Sequence, residues 1–313
     1  MKIHFGYAVI SKTLEAQKLF KTITYTNYQK EKNNDKLKEI IDNNIEGFFE
    51  ILKYNVKNNI HFYRLNSSLI PLATHQNVHF SYQEYIKLRL NNLGKYIQDN
   101  NLRIDTHPDQ YCVLNSTKKE VVASSIEILK YEASILNMLK ITPGRIILHI
   151  GSKEGSKEEG IKRFVKNFAL VDPSIQKMIA IENDDKVYNI VDTLRLAQKL
   201  NIPMVLDYHH YLCNHETEKL DDYFKQILAT WKDEVPKIHF SSPKSKLKKD
   251  FRSHHDYINV QEFIKFIGLI KEFNQDFDVM IEAKMKDEAM FRLLRELKYL
   301  TNYHFLDETT LII

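Results

Sequence analysis

Short apolar runs recur along this chain, and many of them end in a polar residue. Ile104-Asp105-Thr106-His107 is followed by Ile146-Ile147-Leu148-His149, Ile179-Ala180-Ile181-Glu182, Met204-Val205-Leu206-Asp207, Lys237-Ile238-His239 and Val279-Met280-Ile281-Glu282. Short runs rich in Ile, Val, Leu and Met predict strands buried on both faces, as in a parallel sheet. Together with two earlier runs, the predicted strands cover 2–9, 61–66, 102–107, 145–150, 178–183, 203–208, 237–241 and 278–283. Between them, 36–57 carries Ile40, Ile41, Ile45, Phe48, Phe49 and Leu52 at helical spacing. Segments 117–139, 159–169, 187–200, 217–230, 260–273 and 286–299 also read as helices. Thr117 with Glu120, and Ser156 with Glu159, have the spacing of capping boxes.

Eight strand–helix units in 313 residues predict a single (β/α)8 TIM barrel, one catalytic domain over 1–313. A doubly wound sheet is the rival, but it usually opens with a Gly-rich phosphate turn, and Phe5-Gly6-Tyr7-Ala8 offers none. Two loops exceed the usual length and are expected to be functional or mobile: 66–83, with His75, His79, Phe80 and Tyr82, and 242–259.

In a barrel of this type the C-terminal strand ends surround one mouth. His107, His149, Glu182, Asp207, His239 and Glu282 would converge there, a mixed imidazole and carboxylate set suited to divalent cations. Three carboxylates in one mouth repel each other unless cations intervene. Metal ions would serve, and so would Arg64, Arg145, Lys237 or Lys244. Beyond Asp207, spacing alone does not choose between His209 and His210 as a further ligand. His254-His255-Asp256 offers an H-x-D pair in the second long loop, after the basic residues Lys244, Lys246, Lys248, Lys249 and Arg252. Asp184 and Asp185 read as caps for the next helix.

Composition changes the picture little. A net charge of +4 permits a polyanionic partner without demanding one, and 43% hydrophobic residues support a full core. Cys112 and Cys213 form no CxxC pair and read as reduced thiols. The N-terminal residues Met1 to Tyr7 carry no signal-peptide core, and no apolar run approaches a membrane span, so a soluble cytoplasmic protein without a membrane partner is expected.

Taken together, Phe5-Gly6-Tyr7, Thr106-His107-Pro108-Asp109-Gln110-Tyr111, Leu148-His149-Ile150-Gly151, Ile181-Glu182-Asn183-Asp184, Leu206-Asp207-Tyr208-His209-His210, Lys237-Ile238-His239-Phe240-Ser241-Ser242, His254-His255-Asp256-Tyr257 and Ile281-Glu282-Ala283-Lys284 resemble the UV damage endonucleases over almost the whole chain. That family is similar to the endonuclease IV class and to the xylose isomerase-like barrels. The resemblance implies up to three divalent ions, manganese first, with zinc or magnesium as alternatives. It implies ligands at His107, His149, Glu182, Asp207, His210, His239, His254, Asp256 and Glu282. Glu182, central among the carboxylates, is the candidate to bridge two ions. Lys237 would orient the phosphate or the ions, and it aligns with a lysine that can be carboxylated in the family. Gln110 and Tyr111 are implied as a wedge entering damaged double-stranded DNA, with Tyr7 on the same face. The implied reaction is incision 5′ of a UV photoproduct, leaving a 3′-hydroxyl and a 5′-phosphate, by a monomer that meets the nucleoid through its DNA.

Two departures stand out. Ala8-Val9-Ile10-Ser11 replaces the family's usual continuation, which removes a lesion-contacting Asn expected near Ser11, and His255 stands where a smaller residue is common. Alternative readings are an abasic-site endonuclease, a sugar isomerase or epimerase on the same fold, and a non-catalytic DNA-binding protein. The number of candidate ligands disfavours the last two.

Overall fold

Parallel strands close on themselves in the computed structural model, which describes residues 1–30 and 34–313. They are β1 (Lys2–Ala8), β2 (Phe62–Arg64), β3 (Arg103–Thr106), β4 (Arg145–His149), β5 (Ile179–Glu182), β6 (Met204–Asp207), β7 (Lys237–Phe240) and β8 (Phe277–Ile281). The order runs from β2 through β8 to β1, and β1 pairs in parallel with β2 to shut the barrel. The (β/α)8 fold expected from the apolar runs is present, with strand bounds within a few residues of those predicted.

Two short strands, β9 (His304–Phe305) and β10 (Thr310–Ile312), were not expected. β10 runs antiparallel to Lys2, Ile3 and His4, the half of β1 that β2 leaves free. Gly6 sits where β1 meets β2. A Cβ there would lie 2.2 Å from the Phe62 carbonyl oxygen, so the close pairing needs a glycine.

Helices pack outside the barrel with their apolar stripes inward. In Asp35–Lys57, Leu37, Ile41, Ile45, Phe48 and Leu52 are all buried. Cutting Phe48, fully buried, back to Ala should cost about 3–5 kcal/mol. The helix Tyr82–Asp99, absent from the expected set, completes the second unit. Ser156 and Glu159 form their capping box. Thr117 and Glu120 do not: the helix starts at Lys119 and the Thr117 hydroxyl donates to Glu154 instead. Asp184 caps a turn, accepting from the amides of Lys186, Val187 and Tyr188, while Asn189 caps the following helix.

Strand alternation decides what fills the barrel. Ile147, Ala180 and Val205 cluster with Trp231 apart from the main core, and Ala8, Phe62 and Met280 form a second internal group. Residues two positions further along the same strands share that inward direction. For β4, β5, β6 and β8 these are His149, Glu182, Asp207 and Glu282.

Candidate metal centre

The mouth of the barrel gathers the expected histidines and carboxylates. Ligand-capable atoms fall into three groups: His107, His149 and Glu182; Glu182, Asp207 and His210; Asp207, His239 and Glu282. Glu182 joins the first two groups and Asp207 joins the last two. Glu182 Oε2 lies 3.0 Å from His107 Nε2 and 3.9 Å from His149 Nε2. Its Oε1 lies 2.7 Å from His239 Nδ1 and 3.7 Å from His210 Nδ1. The side chain of His149, 37% exposed, marks the solvent side of a cluster whose Glu182, Asp207 and His239 are buried.

The chain after Asp207 brings His210, and not His209, into a ligand-capable group. It turns at once into a short helix, Tyr208–Cys213. His210 therefore swings back over Asp207, donating its amide to Oδ1 at 2.7 Å and bringing its ring to 3.6 Å from Oδ2. His209 is buried beside Cys213 and Phe251. Extended-strand parity would have aimed His209 with Asp207, and the helix cancels it. Both cysteines are free thiols.

Electrostatics reflect the crowding. Burial, reinforced by Glu282 and Asp207, pushes the Glu182 carboxyl well above the usual range. Burial would do the same to Glu282, but Arg64 and His239 outweigh it and hold that carboxyl well below. Burial and neighbouring Arg64 depress His107 to about 4. Burial opposes the charge on His210, yet Asp207, Glu182 and Glu282 raise it to about 9. Asp207 Oδ2 and His149 Nδ1 are buried with no hydrogen-bond partner. Orphaned polar atoms of this kind are costly, and mixed nitrogen and oxygen donors around them fit divalent cations.

Among the described residues, one arginine and no lysine hydrogen-bonds to the cluster. Arg64 Nη1 donates to Glu282 Oε1 at 2.5 Å and Nη2 contacts His239 Nε2 at 2.6 Å. Lys237 lies one layer lower, its ammonium on Asp105 and 4.6 Å from the Phe62 ring centre; burial depresses it to about 7. Of the other basic candidates, Arg145 pairs with Glu234 and Lys244 with Asp250.

The H-x-D residues divide. The His254 ring lies 6.3 Å from that of His210, at the edge of the cluster. Asp256 is exposed, with its carboxylate 3.8 Å from Lys284 Nζ, and the structure does not bring it to the other ligands. An antiparallel bridge between Pro243 and His254 closes the long loop and leaves Lys246, Lys248 and Lys249 exposed at its tip.

Gln110 and Tyr111 stand on the rim just after His107, with Tyr111 71% exposed. Tyr7 does not join them. Its neighbours Gly6 and Ala8 face into the barrel, so Tyr7 faces the helices, fully buried, with its hydroxyl on Asn55 Oδ1 at 2.8 Å. Ser11 is equally withdrawn: it donates to Asp287 Oδ2 at 2.7 Å. Between them Val9 leaves β1 at φ 72°, a strained value for a β-branched residue, held by its amide on the Arg64 carbonyl and by the Tyr63 hydroxyl on its own carbonyl.

The model of the UV-endonuclease UvdE family matches residues 3–309. The chain belongs to that family. Its members are endonucleases, and this chain is one of them. It is 38% identical over 318 residues to a UV DNA damage endonuclease of Bacillus thuringiensis subsp. konkukian, covering 99% of each chain. A Bacillus cereus (strain B4264) UV DNA damage endonuclease is 40% identical over 304 residues, covering 95% of each. The crystal structure of SacUVDE superposes with a TM-score of 0.86 at 33% identity, covering 95% of this chain and 99% of that one. Endonuclease IV from Thermus thermophilus, at 13% identity and TM-score 0.58 over 95% of this chain and 98% of its own, shares the fold alone.

Proposed function

We propose that this family member cuts the phosphodiester 5′ to UV photoproducts in double-stranded DNA, leaving a 3′-hydroxyl and a 5′-phosphate, with up to three divalent ions held at the barrel mouth. The observation that carries the reading is the chained set of ligand groups sharing Glu182 and Asp207, beside an exposed Gln110-Tyr111 tip. Mixed carboxylate and imidazole donors suit Mn2+, with Zn2+ and Mg2+ as alternatives. Bound there, such ions would neutralise phosphoryl oxygens and supply Lewis acidity to both the attacking and leaving sides of an in-line displacement.

The protein's own contribution is orientation. The Pro108 carbonyl accepts from His107 Nδ1 at 3.1 Å and turns Nε2 toward Glu182. The Asn183 carbonyl, 3.0 Å from His210 Nδ1, holds that ring over Asp207. Glu182 offers one oxygen to each side of the cluster and is the residue on which turnover depends most. Lys237, anchored on Asp105, sets the charge of the layer beneath and is the second catalytic candidate. His254 extends the ligand set toward His210, and Asp256 would have to turn away from Lys284 to join it. Gln110 supplies an amide and Tyr111 a ring to fill the gap left by unstacked bases, which a lesion makes cheap to open. The exposed lysines of the 244–253 tip suit neighbouring phosphates. In this reading one catalytic domain spans 1–313 and works as a monomer in the cytoplasm, on the nucleoid when bound to DNA. No helix among the described residues is long and apolar enough to cross a membrane.

The decisive experiment incubates Mn2+-loaded protein with UV-irradiated and abasic plasmids. Nicks in irradiated plasmid that a DNA polymerase extends directly support the proposed product. Irradiated plasmid left supercoiled overturns the reading, and nicking confined to abasic plasmid replaces it with an abasic-site endonuclease.

A further inference from the structure

Arg64 holds the two groups that a cation in the Asp207, His239 and Glu282 set would need. Its Nη1 is on Glu282 Oε1 at 2.5 Å and its Nη2 on His239 Nε2 at 2.6 Å, while His239 Nδ1 is already 2.7 Å from Glu182 Oε1. Both ring nitrogens of His239 are therefore engaged. Among the described residues, no arginine pairs with the other two ligand groups.

A second station for the guanidinium lies beneath. Arg64 Nε and Asp105 Oδ1 are both buried without a hydrogen-bond partner, and they face each other 3.8 Å apart. A closer approach by about 1 Å would make a hydrogen bond between them. The other oxygen of Asp105 is held by Lys237, so the carboxylate is fixed and the arginine is the partner that moves. Guanidinium geometry suits both stations, because its five donors form a rigid fork that carboxylates accept.

We propose that Arg64 is a built-in counter-cation, a positioning residue that a divalent ion displaces from Glu282 and His239 onto Asp105. The inference rests on the proposed metal centre. It makes the Asp207, His239 and Glu282 position the last to fill and the weakest. The two positions around Glu182 fill first, since no arginine has to leave them.

Stepwise Mn2+ titration of chelator-treated protein by calorimetry, with elemental analysis for stoichiometry, tests this. In Arg64→Met the weakest step should tighten by about tenfold or more, whereas a merely structural arginine would weaken binding when lost. An unchanged or weaker last step in Arg64→Met overturns the inference while leaving the metal centre standing. A wild-type protein that takes up no divalent ion overturns both. A crystal structure of wild-type protein soaked in Mn2+ gives an answer that does not depend on the variant folding. Arg64 Nε should close on Asp105 Oδ1, and an ion at that position with Arg64 still on both Glu282 and His239 refutes the displacement.

Discussion

The two ends of the barrel interior use the same residue types in opposite ways. At the floor, charges are matched. Asp278 accepts from Arg103 at 2.5 Å and pairs with His4 at 2.9 Å, and Arg145 pairs with Glu234. Trp231 lies between the two arginines, 5.6 and 6.0 Å from their guanidinium carbons. At the mouth, Glu182, Asp207 and Glu282 face one another with histidines between them, and among the described residues Arg64 is the one arginine or lysine hydrogen-bonded to them. Buried charge that is paired mainly sets geometry. Buried like charge left facing itself is costly, and it persists where something outside the chain is to be bound. The difference is what the proposed metal centre asks of one end of a column that is polar at both ends.

The largest effect that would separate the ends comes from Glu182→Ala. Outer-shell changes at metal sites reach 10–100-fold, so loss of the shared carboxylate should lower nicking by more than about 100-fold. Filter binding should show damaged DNA still retained. Turnover near the wild-type value would remove Glu182 from the chemistry.

At the floor, Asp278→Asn should do the reverse. It weakens the charge-assisted hydrogen bond from half-buried Arg103, which keeps its bond to the Val235 carbonyl, and should cost about 1.5–3 kcal/mol in urea unfolding, with nicking per folded molecule preserved. The pH dependence has a definite sign. Burial opposes the Asp278 charge, but His4 and Arg103 outweigh it and hold its carboxyl below the usual range. Its stabilisation is therefore complete above the ordinary carboxylate pKa and is lost as pH falls through the depressed value. The gap between wild type and variant should close on acidification. A gap constant down to that range would show that the pair adds nothing.

Much of this contrast can be read along the chain, because it rests on period two. Asp105 and His107, Lys237 and His239, and Asp278 and Glu282 share parity on their strands, so floor, middle and mouth follow once the barrel is accepted. The same rule places Tyr7 outward beside inward Gly6, against the lesion-contacting role that resemblance implied. Legibility fails where periodicity stops. The helix after Asp207 reverses the assignment that an extended strand would give to His209. Asp256 sits in a loop whose bridge at Pro243 and His254 sets its direction. Strands β9 and β10 are too short to carry a pattern. Arg64 was visible as a possible counter-charge, but its choice of Glu282 over the other carboxylates depends on β2 lying beside β1, a neighbour fixed by barrel closure.

Tyr111→Ala probes the rim above the mouth. The side chain is exposed, so stability should change by no more than about 0.5 kcal/mol. Base stacking on an aromatic ring is worth about 1–3 kcal/mol, and that much preference for irradiated over intact duplex should disappear in competition binding. Equal preference before and after would leave Tyr111 without a part in lesion recognition.

The smallest effect is expected at the loop tip. Lys248 and Lys249 are exposed there, whereas Arg252 at the base of the loop is tied to Asp185 at 2.7 Å. Exposed lysines that meet phosphates add affinity without sequence or lesion preference, and each contact contributes about 0.9 to the slope of log affinity against log salt. Replacing both by Ala should flatten that slope by about 0.9 per lost contact and weaken intact and irradiated DNA equally. Stability should stay within about 0.5 kcal/mol and nicking of saturating substrate should be unchanged. A lost preference for irradiated DNA would move the tip into the recognition surface with Tyr111. An unaltered slope would take it off the DNA.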